Sequence, residues 1–182
     1  MLDAENYKVA DKLKDGTAVT IRAIRPDDRK RVAEAFNNLN SESIYTRFFR
    51  FKRELTNEEL KSITEVDFDK AVALVVTIPT DEGDETIIAG GRYVLYDPPN
   101  EPRSAEIAFT VEEDYQRQGM AGRILEHLVH IAREKGVCRF DAEVLPENRA
   151  MLAVFARSGL PVKKWSEEGA IHVTLFLEPQ AL

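Results

Sequence analysis

The sequence predicts an α+β protein whose mixed, mostly antiparallel sheet is flanked by helices. One observation is the order of patterns along the 182 residues: a strand, two or three helices, three strands, a helix, a strand, a helix and two strands. The other is the stretch Ser104–Lys135, where large apolar residues occupy alternate positions as far as Val111 and then recur at helical spacing from Ala121. A strand therefore passes into a helix through a turn that contains Gly119.

The first third of the chain predicts strands followed by helices. We expect residues 1–16 to be an N-terminal extension with a short added strand, and residues 17–182 to be a single domain. A strand over 17–24 ends at Pro26, whose fixed φ and acidic neighbours favour a helix start. A short aromatic helix should follow Ser41, and Thr56 with a glutamate three residues later predicts a capped helix that ends near residue 66.

The remaining elements follow from apolar runs and turns. The continuous apolar run Ala71–Ile78 predicts a strand that is buried on both faces. In the next strand, Gly90 and Gly91 predict a bulge or a close backbone approach. Arg139–Leu145 alternates as another strand, and the last strand covers Ile171–Leu177.

Composition excludes several classes of protein. The formal charge of −7 disfavours nucleic acid as the main partner and suits a cationic acceptor. A polar N-terminus and the lack of an apolar run of about 20 residues favour a cytoplasmic protein without a membrane partner. The single cysteine, Cys138, excludes an internal disulfide and is expected to be a small buried residue. His127 and His130 lie three apart, yet nothing nearby completes a ligand set, so no metal is predicted and both should face solvent.

The turn before the central helix is suited to binding phosphate. The first turn of a helix has backbone N–H groups without internal partners and carries partial positive charge, and Gly119 lets the chain approach an anion closely. The pattern Gln116-x-x-Gly119-x-Ala121 after an apolar strand resembles the acetyl-CoA pyrophosphate loop of the GNAT superfamily of N-acetyltransferases. The dinucleotide-binding fingerprint is excluded because its first two glycines are missing.

A second stretch strengthens this resemblance. Asn148 starts a helix, with an aromatic residue seven positions later at Phe155 and a glycine four beyond it, which resembles the second GNAT signature. The stretches 47–49, 105–109 and 142–149 resemble the bacterial Pat-type protein lysine acetyltransferases. The resemblance covers nearly the whole chain from residue 17 and implies the GNAT (acyl-CoA N-acyltransferase) fold.

The resemblance also implies a donor site for acetyl-CoA. The residues expected to contact this cofactor are Phe109, Thr110, Val111, Gln116, Arg117, Gln118, Gly119, Met120, Ala121, Gly122, Asn148 and Phe155. Asn148 either bonds the pantetheine or caps its own helix. Phe155 stands where the family usually has a tyrosine acid, and is therefore a wall for the pantetheine or part of the core. Arg117, Arg123 and Arg149 either meet the adenosine 3′-phosphate or are solvated.

Glu106 is the predicted general base. It is an acid in a strand of small and apolar residues, on the face away from Ile107 and Phe109, and burial there is expected to raise its pKa. In the Pat-type resemblance the same strand carries the base. The alternatives are a structural ion pair for Glu106, with Asp141 or Glu143 as the base.

The sequence therefore predicts an N-acetyltransferase that transfers the acetyl group of acetyl-CoA to a protein lysine by direct attack of the amine. The second reading is a GNAT enzyme acting on a small amine. The third is an acyl-CoA-binding sensor module without catalysis. An oligomer is compatible with all three.

Overall fold

The computed structural model describes residues 2–39, 54–112 and 115–178. These residues form eight strands, four α-helices and one short 3-10 helix. In chain order the elements are β1 Lys8–Lys12, β2 Ala18–Ala23, the 3-10 helix Pro26–Asp28, α1 Arg29–Asn37, α2 Asn57–Thr64, β3 Ala71–Pro79, β4 Glu85–Tyr96, β5 Ser104–Val111, α3 Met120–Glu134, β6 Arg139–Val144, α4 Arg149–Ala156, β7 Val162–Glu167 and β8 Ala170–Phe176.

All eight strands belong to one sheet in the order β1-β2-β3-β4-β5-β6-β8-β7. Only β5 and β6 run parallel, because α3 connects them as a crossover, and every other neighbouring pair is antiparallel. This confirms the predicted mixed, mostly antiparallel sheet with flanking helices.

The helix α3 packs tightly on one face of the sheet. A Cβ atom on Gly91 of β4 would lie 2.5 Å from Ile124 Cγ2 and 2.8 Å from Phe109 Cδ1, so only glycine fits there. Side chains alternate along a strand, which turns Gly90 and Arg92 to the opposite face, the one that α1 covers. The close approach predicted at the glycine pair is confirmed, while the register irregularity lies earlier, opposite the Val76–Thr77 step of β3.

The N-terminal residues add a strand to the edge of the sheet. Lys8–Lys12 pairs antiparallel with β2, and the division of the chain at residue 16 stays a prediction. Beside this edge, Arg22 and Asp28 form a buried ion pair, with Nη2 and Oδ1 2.7 Å apart and side chains 4% and 0% exposed. Glu85 adds a second carboxylate, 2.5 Å from the same Arg22 nitrogen. The cluster ties β2 to the start of α1 and to β4.

Some local predictions need correction. The capping box of Thr56 and Glu59 is present, but α2 ends at Thr64 because Glu65 leaves the helical region, with ψ at 67°. Cys138 precedes β6 and is only half-buried, since its thiol lies beside the Gly136 carbonyl at the surface of the turn. The aromatic helix predicted after Ser41, including residues 47–49, lies outside the described residues.

Candidate active site

The parallel strands β5 and β6 separate part of the way along their length. Their registered pairs are Ser104 with Arg139, Ala105 with Phe140, and Glu106 with Asp141. In the described structure the remainder of β5, 107–111, is registered only with β4 on its other side. The backbone edge of residues 107–111 is therefore open toward β6, as a strand-like ligand requires.

A groove of about 700 Å³ begins at this opening and runs to the start of α3. It collects four separate parts of the chain: the β1–β2 turn, the end of β5, the loop and first turn of α3, and α4 with the residues that flank it. Its lining residues are Lys14, Phe109, Thr110, Val111, Tyr115, Gln116, Arg117, Gly119, Met120, Ala121, Gly122, Glu147, Asn148, Arg149, Ala150, Met151, Ala153, Val154 and Arg157.

Two residues of the loop that enters α3 have left-handed backbone conformations. Arg117 has φ 64° and Gly119, the N-cap of α3, has φ 82°. A non-glycine residue with positive φ costs about 1–2 kcal/mol, so the conformation of Arg117 is maintained by its surroundings. Gln116 contributes by donating a hydrogen bond from Nε2 to the Val111 carbonyl at 3.2 Å. The loop therefore directs the free N–H groups of the first α3 turn into the groove.

Ten of the twelve residues predicted to contact the cofactor line this groove, and two do not. Gln118 turns away, and its Oε1 accepts a hydrogen bond from the Asp15 backbone N–H at 3.3 Å. Phe155 is 1% exposed and packs against Phe109 with ring centroids 6.1 Å apart, so the core interpretation applies. Asn148 lines the groove and also caps α4, because its Oδ1 accepts from Met151 N at 3.2 Å.

Glu106 lies on the opposite face of the sheet from α3. It is exposed, so the predicted burial of this carboxylate is wrong: no described element of the structure covers this part of the face. It lines a second groove of about 390 Å³, together with Tyr96, Arg139, Asp141, Ala142, Glu143, Lys163, Trp165, His172, Val173, Thr174 and Phe176.

The two competing carboxylates have different surroundings. Asp141 accepts hydrogen bonds from the Tyr96 hydroxyl, from Thr174 Oγ1 at 2.5 Å and from Arg139 Nε at 3.2 Å. Glu143 is 57% exposed and lies 3.8 Å from His172 Nδ1. Asp141 is thus held by three donors, whereas Glu106 stands at the point where β5 and β6 part.

One half-buried cation lies near Glu106 on the same face. Arg92 of β4 is registered opposite Ala108, two residues from Glu106 along β5. Burial lowers the pKa of Arg92, and the charge of Glu106 opposes that shift. An arginine keeps its charge in proteins, so the guanidinium places a positive charge near Glu106.

The histidine and arginine predictions are partly corrected. His127 is not a solvated side chain: its Nδ1 lies 2.5 Å from the Tyr7 hydroxyl, and burial lowers its pKa. Among the described residues, no group of three His, Cys, Asp or Glu side chains is placed to hold a metal ion. Arg117 and Arg149 line the groove, while Arg123 pairs with Asp11 of β1, with Nε and Oδ2 3.5 Å apart.

Sequence reasoning missed Lys14, Tyr115 and Arg157 as groove residues. Tyr115 and Arg157 are near predicted site residues in the chain and were within reach of a local argument. Lys14 belongs to the turn between β1 and β2, more than 100 positions from the loop, and no local pattern reveals that contact.

Comparison with protein families now places the chain. The model of the acetyltransferase (GNAT) domain matches residues 18–161, and the chain belongs to this family. The predictions of an acetyltransferase and of acetyl-CoA as its acyl donor are confirmed with it. The chain is 34% identical over 140 residues to Acetyltransferase Pat of Mycolicibacterium smegmatis, a match over 76% of this chain but only 40% of that protein.

Solved structures show the same fold. The GNAT domain of PAT from S. lividans superposes with a TM-score of 0.82 and 33% identity, covering 93% of this chain and 96% of that one. YncA from Salmonella typhimurium, solved with its cofactor acetyl-CoA, has a TM-score of 0.67 and 17% identity over 90% of this chain and 96% of that one; at this identity the likeness shows the fold alone. None of the helices in the described ranges has the length and apolarity that a bilayer crossing needs.

Proposed function

We propose that this acetyltransferase transfers the acetyl group of acetyl-CoA to the side-chain amine of a protein lysine, with Glu106 as general base. The observation that carries the proposal is the register of β5: Glu106 forms the last pair with β6, and the open edge that follows lines the large groove. A thioester in that opening would have the base on one face of the sheet and the donor groove on the other.

The donor is proposed to bind in the 700 Å³ groove. Its diphosphate would accept hydrogen bonds from the backbone N–H groups of Gly119, Ala121 and Gly122, where the helix dipole adds positive potential. Its pantetheine amides would pair with the open edge of Phe109–Val111 as an added strand does. YncA, whose structure contains acetyl-CoA, supports the placement through its shared fold.

A base is required because the acceptor is normally protonated. A lysine amine has a pKa near 10.4, so its neutral form costs about 4–5 kcal/mol at pH 7. Glu106 is exposed on the acceptor face, where it is accessible to a solvated amine or to a water that relays the proton. The amine attacks the thioester carbonyl, the C–S bond breaks, and the CoA thiolate leaves. A thiol pKa near 8.5 lets the thiolate leave without an acid, which agrees with the buried Phe155 in place of a tyrosine.

The second groove, of about 390 Å³, is proposed to bind the acceptor, and it favours a macromolecular substrate. It lies at the surface, and it places the exposed Trp165 ring and the carboxylates of Glu106 and Glu143 on one open face. The two carboxylates suit the ammonium group of a lysine on a protein, while the Trp165 ring stacks on His172 and its centroid lies 5.7 Å from Lys163 Nζ. The resemblance of the sequence to the Pat-type protein lysine acetyltransferases supports the same acceptor class, and the GNAT domain of PAT from S. lividans matches 93% of this chain.

The base is tested with Glu106→Gln, a change that keeps the shape of the side chain and removes its charge. We expect kcat/KM to fall about 10²–10⁴-fold while the affinity for acetyl-CoA is unchanged. Glu143→Gln in the same groove is the comparison and should show a much smaller loss. Equal turnover by Glu106→Gln and the unaltered chain would refute the base assignment, and a large loss confined to Glu143→Gln would move it there.

The acceptor class is tested by incubating the protein with acetyl-CoA and host extract. Acetylated protein lysines detected by mass spectrometry, with release of free CoA thiol, are the expected result. Acetylation of small amines alone would overturn the protein substrate but keep the enzyme. Tight acetyl-CoA binding without thiol release, on lysine-rich proteins or on small amines, would favour the sensor reading.

A further inference from the structure

The turn between β1 and β2 borders the donor groove. Backbone hydrogen bonds close this turn, from Leu13 N to Thr17 O at 2.9 Å and from Gly16 N to Leu13 O at 3.0 Å. The Asp15 carboxylate adds a third bond by accepting from Thr17 N at 2.9 Å. The residue between Leu13 and Asp15 is Lys14, which is exposed. Its backbone position is therefore well defined although its side chain reaches into solvent.

Three contacts hold the N-terminal segment against the start of α3. The Asp15 backbone N–H donates to Gln118 Oε1 at 3.3 Å, immediately before the N-cap. One turn into α3, Arg123 Nε lies 3.5 Å from Asp11 Oδ2. A further turn along, His127 Nδ1 lies 2.5 Å from the Tyr7 hydroxyl. The position of the β1–β2 turn relative to the loop before α3 is thus set by one contact from the turn itself and by two contacts from the residues that precede it.

The Lys14 side chain lies directly beside the N-cap of α3. A Cβ atom on Gly119 would be 3.4 Å from Lys14 Cε, and the ammonium nitrogen is one bond beyond that carbon. Lys14 forms no ion pair within the described part of the chain, so its charge is available to a ligand.

The groove is positively charged in a protein that is negative overall. Four cationic residues, Lys14, Arg117, Arg149 and Arg157, are among the described residues of its lining, against the one carboxylate of Glu147. The whole chain has a formal charge of −7. Lys14 and Arg117 lie beside the start of α3, where a cation next to free backbone N–H groups suits a diphosphate.

We propose that Lys14 binds the diphosphate of the acyl-CoA donor, so that the β1–β2 turn forms one wall of the cofactor site. This residue precedes the stretch 18–161 that the family model matches. The inference rests on the proposed placement of acetyl-CoA in this groove. The N-terminal strand then has a function beyond extending the sheet: the turn that follows it supplies an ammonium group beside the backbone N–H groups of the loop.

The test compares two donors and four variants of the full chain. The donors are acetyl-CoA and S-acetylpantetheine, which lacks the diphosphate and the nucleotide. The variants are Lys14→Ala, Lys14→Glu, Lys14→Arg and the control Lys12→Ala, which removes an exposed lysine of β1 that is not in the groove lining. Initial rates give kcat and KM, and calorimetry gives the dissociation constant for acetyl-CoA.

Lys14→Ala is expected to raise KM and Kd for acetyl-CoA roughly tenfold, with kcat unchanged, because a charge-assisted contact to the diphosphate is lost. Lys14→Glu should raise both further, Lys14→Arg should restore most of the affinity, and Lys12→Ala should change neither. With S-acetylpantetheine the unaltered chain and Lys14→Ala should have the same KM.

Two outcomes overturn the inference. Unchanged acetyl-CoA affinity in Lys14→Ala would show that the ammonium does not contact the donor. An equal loss with both donors would show a structural role for the side chain. If the unaltered chain itself binds no acetyl-CoA, the proposed donor site fails first, and this result is distinguishable from either of the other two.

Discussion

The packing of Gly91 against α3 yields a quantitative prediction. In Gly91→Ala the new methyl group would lie 2.5 Å from Ile124 Cγ2 and 2.8 Å from Phe109 Cδ1, well inside ordinary contact distance. Both neighbours are buried and cannot move aside freely, because Ile124 is 0% and Phe109 8% exposed. The variant must shift α3, β5 or both.

The adjacent Gly90 provides a matched control. In Gly90→Ala the methyl group would lie 3.4 Å from the Leu74 carbonyl oxygen and 3.9 Å from Val75 Cγ1, which is ordinary van der Waals contact. Replacing glycine by alanine inside a strand stabilises through the unfolded chain by about 0.4–1 kcal/mol, and this contribution is common to both variants. The difference between them therefore isolates the steric effect.

We expect Gly91→Ala to be about 1–3 kcal/mol less stable than Gly90→Ala, the usual cost of overpacking a core. For a chain of this size each kcal/mol corresponds to about 2–4 °C in Tm. Urea unfolding followed by circular dichroism measures the free energy of unfolding of both variants. KM for acetyl-CoA should also rise in Gly91→Ala, because Phe109 lines the donor groove. Equal stability of the two variants would refute this account of the β4–α3 contact.

Two further predictions concern pH. Burial alone would raise the pKa of Asp28, but hydrogen bonds from Arg22 and from a backbone N–H hold that pKa below its usual range. This contribution to stability is present above the unfolded pKa of about 3.9 and is lost as pH falls through the lower folded pKa. Asp28→Asn should therefore lower the free energy of unfolding by about 3 kcal/mol at pH 7 and reduce the dependence of stability on pH in acid solution. If urea unfolding finds this variant as stable as the unaltered chain, the prediction is wrong. Burial lowers the pKa of His127. The contribution of its neutral imidazole to the free energy of unfolding is therefore complete above pH of about 6.5 and declines as the solution is acidified below that pH. Tyr7→Phe should lower the free energy of unfolding by about 1 kcal/mol at pH 7, because it removes the hydrogen bond to that imidazole. His127→Gln should remove the dependence of stability on pH between 5 and 7, which thermal unfolding at both pH values measures. If stability depends on pH as steeply in His127→Gln as in the unaltered chain, His127 does not titrate in this range.

Local patterns predicted most of the fold because they depend on neighbours in the chain. The alternation of Ser104–Val111, the helical spacing after Gly119 and the capping box at Thr56 each correspond to an observed element. The glycine loop before α3 was found in the same way, since Gly119 and the helix start are consecutive in the sequence. These features follow from backbone sterics and side-chain periodicity within a few residues.

Predictions that depended on burial were less successful. Glu106 was expected to be buried from the apolar character of its strand, but a strand has two faces and the face of Glu106 is open. Phe155 was placed at the cofactor or in the core, and only its packing on Phe109 decides for the core. His127 was expected to face solvent because it flanks the apolar stripe of its helix, but Tyr7, 120 positions away in the chain, covers it.

The sequence by itself determined the element order, the mixed sheet, the family and the glycine loop before α3, because each is encoded by residues close together in the chain. Only the tertiary structure decided where β5 and β6 part, which face Glu106 occupies and that Lys14 stands beside Gly119. Those features arise from contacts between segments far apart in sequence, where packing and electrostatics act across space and no short pattern records the outcome.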